Sequence, residues 1–171
     1  TTSTAVGARL PNVIDDTFIG NLNGLRFKAV YNNPNSRILP NITDCTFQEH
    51  GIIPADKTIK EPGVPIMLEN TVQPNYSNNS FTGNLHPAIG ITGRWRSSVT
   101  MVSVNGQDLS PLPYLVHGEV WFGNKDISGG IDTSVTITIP AGTVIKFFVN
   151  SYDRVNVRSR ISAAGRLLLE S

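Results

Sequence analysis

One heptapeptide pattern occurs three times in the first half of this 171-residue chain. The pattern, Asn-x-x-(Asp/Asn)-x-(Ser/Thr)-Phe, covers residues 12–18, 41–47 and 75–81, at offsets of 29 and 34 residues. A sequence pattern that recurs about every 20 to 50 residues is typical of stacked-repeat architectures, in which each repeat forms one small group of strands or helices. A short strand that carries Phe can lie on its copy in the next strand, at a spacing of about 4.8 Å. The repeat therefore predicts an irregular, β-helix-like rung region over residues 1–85.

The second half of the chain has a different composition and a different strand pattern. Twelve asparagines lie in residues 1–85 and four in residues 86–171. Residues 135–139 alternate between apolar and polar side chains, as half-buried strands do. The Asn105-Gly106 pair is a strong hairpin signal, because both residues tolerate a positive φ. With seven or eight short strands separated by turns, residues 86–171 are predicted to form an antiparallel jelly roll or β sandwich. Neither half has a sustained helical period, so the expected fold class is all-β.

Composition excludes several classes of function. The 14 basic and 13 acidic residues leave a formal net charge of +1, which argues against binding to a nucleic-acid backbone. No apolar run is long enough to insert into a membrane. The one cysteine and three widely spaced histidines indicate neither a metal site nor a cofactor. The chain begins with Thr1 rather than Met, so we expect a fragment, a cleavage product or a processed protein.

The Asn-rich rungs followed by a β domain resemble the C-terminal end of a bacteriophage tailspike or tail appendage. In that family a parallel β-helix is commonly followed by a β domain similar to the tumour-necrosis-factor or C1q jelly roll. Residues 139–145 (IPAGTVI) resemble the turn and strand near the end of such trimeric domains. Residues 165–170 (GRLLLE) are similar to their last strand.

This resemblance implies a homotrimer of the virion, located in the phage tail, at the extracellular surface, and in contact with the host. It also implies that the C-terminal portion holds three chains in register, and in some relatives that portion is released by self-cleavage. The function expected from the resemblance is structural and adhesive: trimerisation and assembly, together with binding of host cell-surface polysaccharide. Unfolding would then require three chains to separate, which predicts unusual kinetic stability.

Aromatic and arginine residues of the second half are the candidate glycan-binding residues. Arg94-Trp95-Arg96 places two guanidinium groups on one face of a strand and an indole on the other. Tyr114 and Trp121 lie in the next long apolar segment. Sugar rings pack on Trp and Tyr faces, and Arg donates hydrogen bonds to hydroxyl or acidic groups. The alternative is that the tryptophans fill the core, and we expect this for at least one of them.

Four arginines near the C-terminus are candidates for a trimer interface: Arg154, Arg158, Arg160 and Arg166. Intersubunit ion pairs around a threefold axis would use them. A solvated strand face is the ordinary alternative, and a patch for anionic glycan or nucleic acid is the third. Cys45 occupies a turn position of the repeat, where a buried small residue is expected rather than a nucleophile.

Carboxylates in the repeat region raise the question of catalysis, because glycosidases use Asp and Glu pairs as acid and base. Asp16, Asp44 and Glu49 are the candidates. However, Asp15 and Asp44 occupy the same repeat position, which indicates a turn-forming role. We therefore expect no catalytic residue and no enzyme activity. Three rival functions stay open: a capsid or coat jelly roll, a free carbohydrate-binding lectin, and a glycan-cleaving enzyme whose activity would need these carboxylates.

Overall fold

A computed structural model describes residues 12–29, 39–52, 62–106, 111–125, 131–132, 135–148, 160–163 and 166–169. Over these ranges the chain is all-β, as the sequence predicts, and no described residue is helical. The strands, in chain order, are β1 Asn12–Ile14, β2 Thr17–Ile19, β3 Leu25–Lys28, β4 Asn41–Thr43, β5 Thr46–Gln48, β6 Ile66–Glu69, β7 Asn75–Ser77, β8 Ser80–Thr82, β9 Ile89–Trp95, β10 Val99–Thr100, β11 Tyr114–Phe122, β12 Asn124–Lys125, β13 Ile131–Asp132, β14 Thr136–Ile139, β15 Ile145–Phe147, β16 Arg160–Ala163 and β17 Arg166–Leu169.

The first nine strands form three parallel stacks, because each pass of the chain adds one strand to each stack. Strands β1, β4 and β7 form the first stack, and β2, β5 and β8 form the second. Strands β3, β6 and β9 pair in parallel and begin the largest sheet. The three copies of the heptapeptide pattern therefore lie directly on one another, in the register that the sequence offsets predict.

Two ladders of identical side chains hold the copies together. The rings of Phe18, Phe47 and Phe81 stack at 5.1 Å between successive centroids, with interplanar angles of 10° and 7°. On the outside, Nδ2 of Asn41 donates to Oδ1 of Asn12 at 2.9 Å, and Nδ2 of Asn75 donates to Oδ1 of Asn41 at 3.0 Å. Such ladders form only when identical residues repeat in register, so the Phe stacking predicted from the pattern is confirmed.

The turns between the first and second stacks explain the polar residues of the repeat. Asp15, Asp44 and Asn78 adopt φ values of 56°, 56° and 52°, a left-handed conformation that Asp and Asn tolerate best among residues with a side chain. One residue further on, Asn79 reaches back to the pass below it. Its Nδ2 donates to the carbonyl oxygen of Ile42 at 2.8 Å, and its Oδ1 accepts from the Cys45 N–H at 3.0 Å. The turn residues of the pattern thus form the bends and join one pass to the next.

The prediction of an antiparallel jelly roll over residues 86–171 is corrected by the strand pairing. The largest sheet has the order β15-β11-β9-β6-β3, with β16 also paired to β11, and every one of these pairings is parallel. A second sheet, β10-β14-β17, is parallel as well. Among the described residues, antiparallel pairing is limited to β12 with β13 and to the bridge between Asn105 and Pro111. Alternation of apolar and polar residues is the same in both kinds of sheet, so it did not indicate strand direction.

The largest sheet runs through both predicted regions, since β3 and β6 precede residue 85 and β9, β11 and β15 follow it. One core cluster likewise contains side chains from both, including Phe47, Ile66, Ile89 and Val116, each fully buried. The proposed division between residues 85 and 86 does not coincide with a break in this sheet. As a division into domains it stays a prediction.

Candidate functional site

The strongest candidate site is the outer face of the largest sheet, where β9 lies beside β11. Arg94 and Trp121 are direct partners in the parallel register of these strands. Residues paired in this way project from the same face, about 4.8 Å apart along the sheet. The Arg94 side chain is exposed and the Trp121 side chain is half-buried. The arrangement places a cation and a partly exposed indole on neighbouring strands, a combination of side chains that can receive a sugar ring and its hydroxyl or acidic groups.

Buried polar residues fix the direction of the backbone at this site. Oδ1 of Asn70 accepts a hydrogen bond from the Arg94 N–H at 3.1 Å, and Oγ1 of Thr71 accepts one from the Arg96 N–H at 2.7 Å. Asn70 and Thr71 are 2% and 3% exposed. Because these two bonds hold the backbone on both sides of Trp95, that indole faces the core while Arg94 points outward.

Two of the five predicted glycan-binding residues lie in the core. Trp95 is 2% exposed, packs edge-on against Phe122 at 6.0 Å, and donates from Nε1 to the Thr92 carbonyl oxygen at 3.3 Å. Tyr114 is 5% exposed, and its hydroxyl donates to the carbonyl oxygen of Val102 at 2.7 Å. Burial raises the pKa of Tyr114 to about 12. Neither side chain is open to a sugar: the core alternative applies to Trp95, and the prediction that Tyr114 binds glycan is corrected by its burial.

Arg96, the remaining predicted glycan-binding residue, is half-buried one strand position beyond Trp95. Of the predicted trimer-interface residues, Arg160 lies in β16 and Arg166 lies in β17. Arg154 and Arg158 lie outside the described residues. The structure therefore pairs Arg94 with Trp121 and places Arg96 just after the end of β9. The interface role of the four C-terminal arginines stays a prediction.

The repeat carboxylates are turn residues rather than a convergent pair. Asp16, Asp44 and Glu49 are exposed, and Asp44 and Glu49 both have φ values of 56°. Glu49 corresponds to Gly20 and Gly83 of the other passes, which also have positive φ. Its carboxylate accepts a hydrogen bond from the neighbouring Gln48 side chain at 2.9 Å. Asp44 shares its bend position with Asp15 and Asn78, and Glu49 lies in a different bend, after β5.

A charge cluster occupies the outer face of β3 and β6. Glu69 forms ion pairs with Lys28 at 2.7 Å and with Arg26 at 3.0 Å. Burial by itself would raise the pKa of Glu69, but the hydrogen bonds from Lys28 and Arg26 outweigh it and lower the pKa. The two cations and one carboxylate leave this cluster with a formal charge of +1, and both cations are paired to Glu69.

Within the described ranges, no group of three or more His, Cys, Asp or Glu side chains is placed to hold a metal ion. The part of the chain that the structure describes also contains no long apolar helix of the membrane-crossing kind. Cys45 is buried, and its Sγ contacts the carbonyl oxygens of Thr43 and Val13 at 3.2 and 3.4 Å. It packs as the small buried residue that the sequence predicts.

The sequence analysis missed a cavity of about 750 Å³ at the end of the second stack. Strand β8 is the last strand of that stack, and Gly106, Pro111 and Leu112 line the cavity together with residues 81–88. Phe81, the last ring of the Phe ladder, lies at the base of this cavity. The signal was available in the sequence, because the heptapeptide pattern has no fourth copy after residue 81.

In comparisons with known proteins, no protein-family model, no curated protein and no solved structure matches the chain.

Proposed function

We propose that this chain is part of a bacteriophage tailspike or tail appendage, in which its stacked parallel strands form a stretch of β-helix. Its role there is structural and adhesive: it extends the virion appendage, associates as a homotrimer, and binds host cell-surface glycan. The proposal assigns no catalytic step to the chain. Support for the scaffold part comes from the in-register Phe and Asn ladders, which give a stiff stack with a continuous outer surface.

The observation that carries the adhesive part is the register of Arg94 with Trp121 on the outer face of the largest sheet. A half-buried indole keeps its orientation and still offers surface to a sugar ring. The neighbouring guanidinium supplies hydrogen-bond donors that suit hydroxyl and carboxylate oxygens. Asn70 holds the backbone of Arg94 from below, so the pair is preorganised by buried contacts rather than by ligand binding.

Binding to an array of purified bacterial surface polysaccharides tests this function. We expect wild-type protein to bind a subset of them and Trp121→Ala to bind the same glycans about tenfold more weakly, because the lost contact area is that of one aromatic side chain. Phe147→Ala is the matched control, since Phe147 is an aromatic residue that is 48% exposed on β15, away from the pair. Equal loss in both variants, or no binding by wild-type protein, would contradict the adhesive function.

The trimer is tested separately by light scattering behind a sizing column at several concentrations. A constant mass of three chains, about three times 18.6 kDa, supports the appendage. Glycan binding by a monomer would favour a free lectin instead. Release of reducing ends from a bound polysaccharide, abolished by changing Asp16, Asp44 or Glu49 to the corresponding amide, would favour a glycan-cleaving enzyme.

A further inference from the structure

The cavity at the end of the second stack is large enough for a small organic molecule. Its volume of about 750 Å³ lies in the range of roughly 300 to 1,000 Å³ that ligand pockets occupy. The walls come from two segments that face each other, residues 81–88 and residues 111–115. Both walls belong to strands or to short connections next to strands, and the base is a ring fixed in the Phe ladder.

The lining is largely apolar. Phe81, Ala88, Leu112 and Leu115 contribute buried side chains, and the exposed ring of Pro87 forms part of the rim. A molecule that displaces water from these surfaces gains free energy in proportion to the apolar area it covers. The chemistry of the walls therefore suits a ring or a branched chain rather than a polar chain.

Among the described residues that line this cavity, one carries a formal positive charge. Lys146 lies on β15, the edge strand of the largest sheet, and its exposed side chain forms part of the lining. No carboxylate is among the described residues that line the cavity. The other polar side chains among the described lining residues are the amide of Asn84 and the imidazole of His86, and burial lowers the pKa of His86, which disfavours its charged form. The electrostatic preference is accordingly for a single negative charge.

We propose that this cavity binds a small amphiphilic anion, with an aromatic or branched aliphatic body against Phe81 and Leu112 and one acidic group at Lys146. The site is separate from the outer-face pair of Arg94 and Trp121, and the proposal does not depend on the adhesive function. It rests on the cavity's volume, its apolar walls and the ammonium group of Lys146, which no carboxylate among the described lining residues opposes.

A pair of fluorescent probes tests the proposal on the full chain. Anilinonaphthalene sulfonate has an aromatic body and one negative charge, whereas N-phenylnaphthylamine has the same rings without the charge. We expect wild-type protein to bind the sulfonate with a stoichiometry of one per chain and more tightly than the neutral probe. Lys146→Met, which keeps the apolar stem, should weaken sulfonate binding about tenfold, as the loss of a charged hydrogen bond does. Its affinity for the neutral probe should stay within about twofold of wild type, because the walls are unchanged.

Lys28→Met is the matched control, because Lys28 lies on β3 at the opposite edge of the same sheet. It should bind both probes as wild type does. Pro87→Glu adds a carboxylate at the rim and leaves Lys146 in place. It should weaken binding of the sulfonate but not of the neutral probe. The proposal is overturned if wild-type protein does not bind the sulfonate, if Lys28→Met weakens binding as much as Lys146→Met, or if both probes respond equally to every variant.

Discussion

The side chain of Asn70 connects two parts of the chain that are far apart in sequence: its Oδ1 accepts from the Arg94 N–H at 3.1 Å, and its Nδ2 donates to the Ala29 carbonyl oxygen at 2.6 Å. The residue is 2% exposed and has a φ of 70°. The amide therefore joins three successive passes within the largest sheet. No other type of side chain combines a donor, an acceptor and tolerance of the left-handed conformation equally well.

Replacing this amide should destabilise the protein and loosen the outer-face site. Asn70→Ala leaves the Ala29 carbonyl and the Arg94 N–H without their buried partner, which should cost about 3 kcal/mol of unfolding free energy. Urea denaturation at a fixed chain concentration measures the loss. Gln73→Ala is the control, because Gln73 donates one exposed hydrogen bond to Thr100, and it should cost less than about 0.5 kcal/mol. Equal stability of Asn70→Ala and wild type would contradict this role.

The Phe ladder predicts a gradient of stability from its end to its middle. Phe47 is fully buried between two stacked rings, while Phe18 is half-buried and stacks on one neighbour. Phe47→Ala should therefore cost about 4 kcal/mol, and Phe18→Ala about half as much. The same denaturation experiment compares them. Equal losses would mean that the rings are not stacked as neighbours in solution.

A stabilising substitution is available at Glu49. Its φ of 56° is unfavourable for a residue with a side chain, and the equivalent positions hold Gly20 and Gly83. Glu49→Gly should raise the unfolding free energy by about 0.5 kcal/mol, because relief of about 1 kcal/mol of strain exceeds the extra entropy lost by glycine. Gln48→Gly, one residue earlier in β5, should lower it. A catalytic Glu49 would instead show a loss of glycan cleavage in Glu49→Gly without a gain in stability.

The sequence predicted strand pairing where identical residues recur, but not where unlike segments that are distant in the chain pair with each other. Spacing of the heptapeptide copies predicted that Phe18, Phe47 and Phe81 stack, because a repeat carries its own register. The direction of β11 and β14 was predicted wrongly, since an alternating strand fits parallel and antiparallel neighbours equally well.

For the candidate site, sequence chemistry selected Arg94 and Trp121, but their position opposite one another depends on the pairing of β9 with β11 and on a register shift between Val116 and Val120. Gly118, with a φ of 67°, lies within that shift, and a glycine inside a strand pattern indicates a bulge but does not give the register. The burial of Trp95 and Tyr114 depends on the same pairing, which decides the face that each side chain occupies. Side chains of the right type were therefore predictable, whereas their exposure was not.

The buried imidazole of His50 makes stability depend on pH. His50 is 0% exposed, its Nδ1 lies 3.2 Å from the Asn21 carbonyl oxygen, and its Nε2 has no hydrogen-bond partner among the described residues. Burial lowers the pKa of His50 below its ordinary value of 6.5. The unfolded chain consequently binds this proton more readily than the folded chain, so the stabilising effect of the neutral ring is complete above pH 6.5 and declines as the pH falls below it.

His86, whose pKa is also lowered by burial, contributes with the same sign. We expect the urea midpoint to be constant between about pH 7 and 8 and to fall below about pH 6.5. His50→Asn keeps a donor near the Asn21 carbonyl but cannot be protonated, so it should be less stable than wild type at pH 7 and lose less stability on acidification. His86→Asn gives the corresponding comparison for the second imidazole. Parallel pH profiles for wild type and both variants would show that neither ring is responsible for the acid sensitivity.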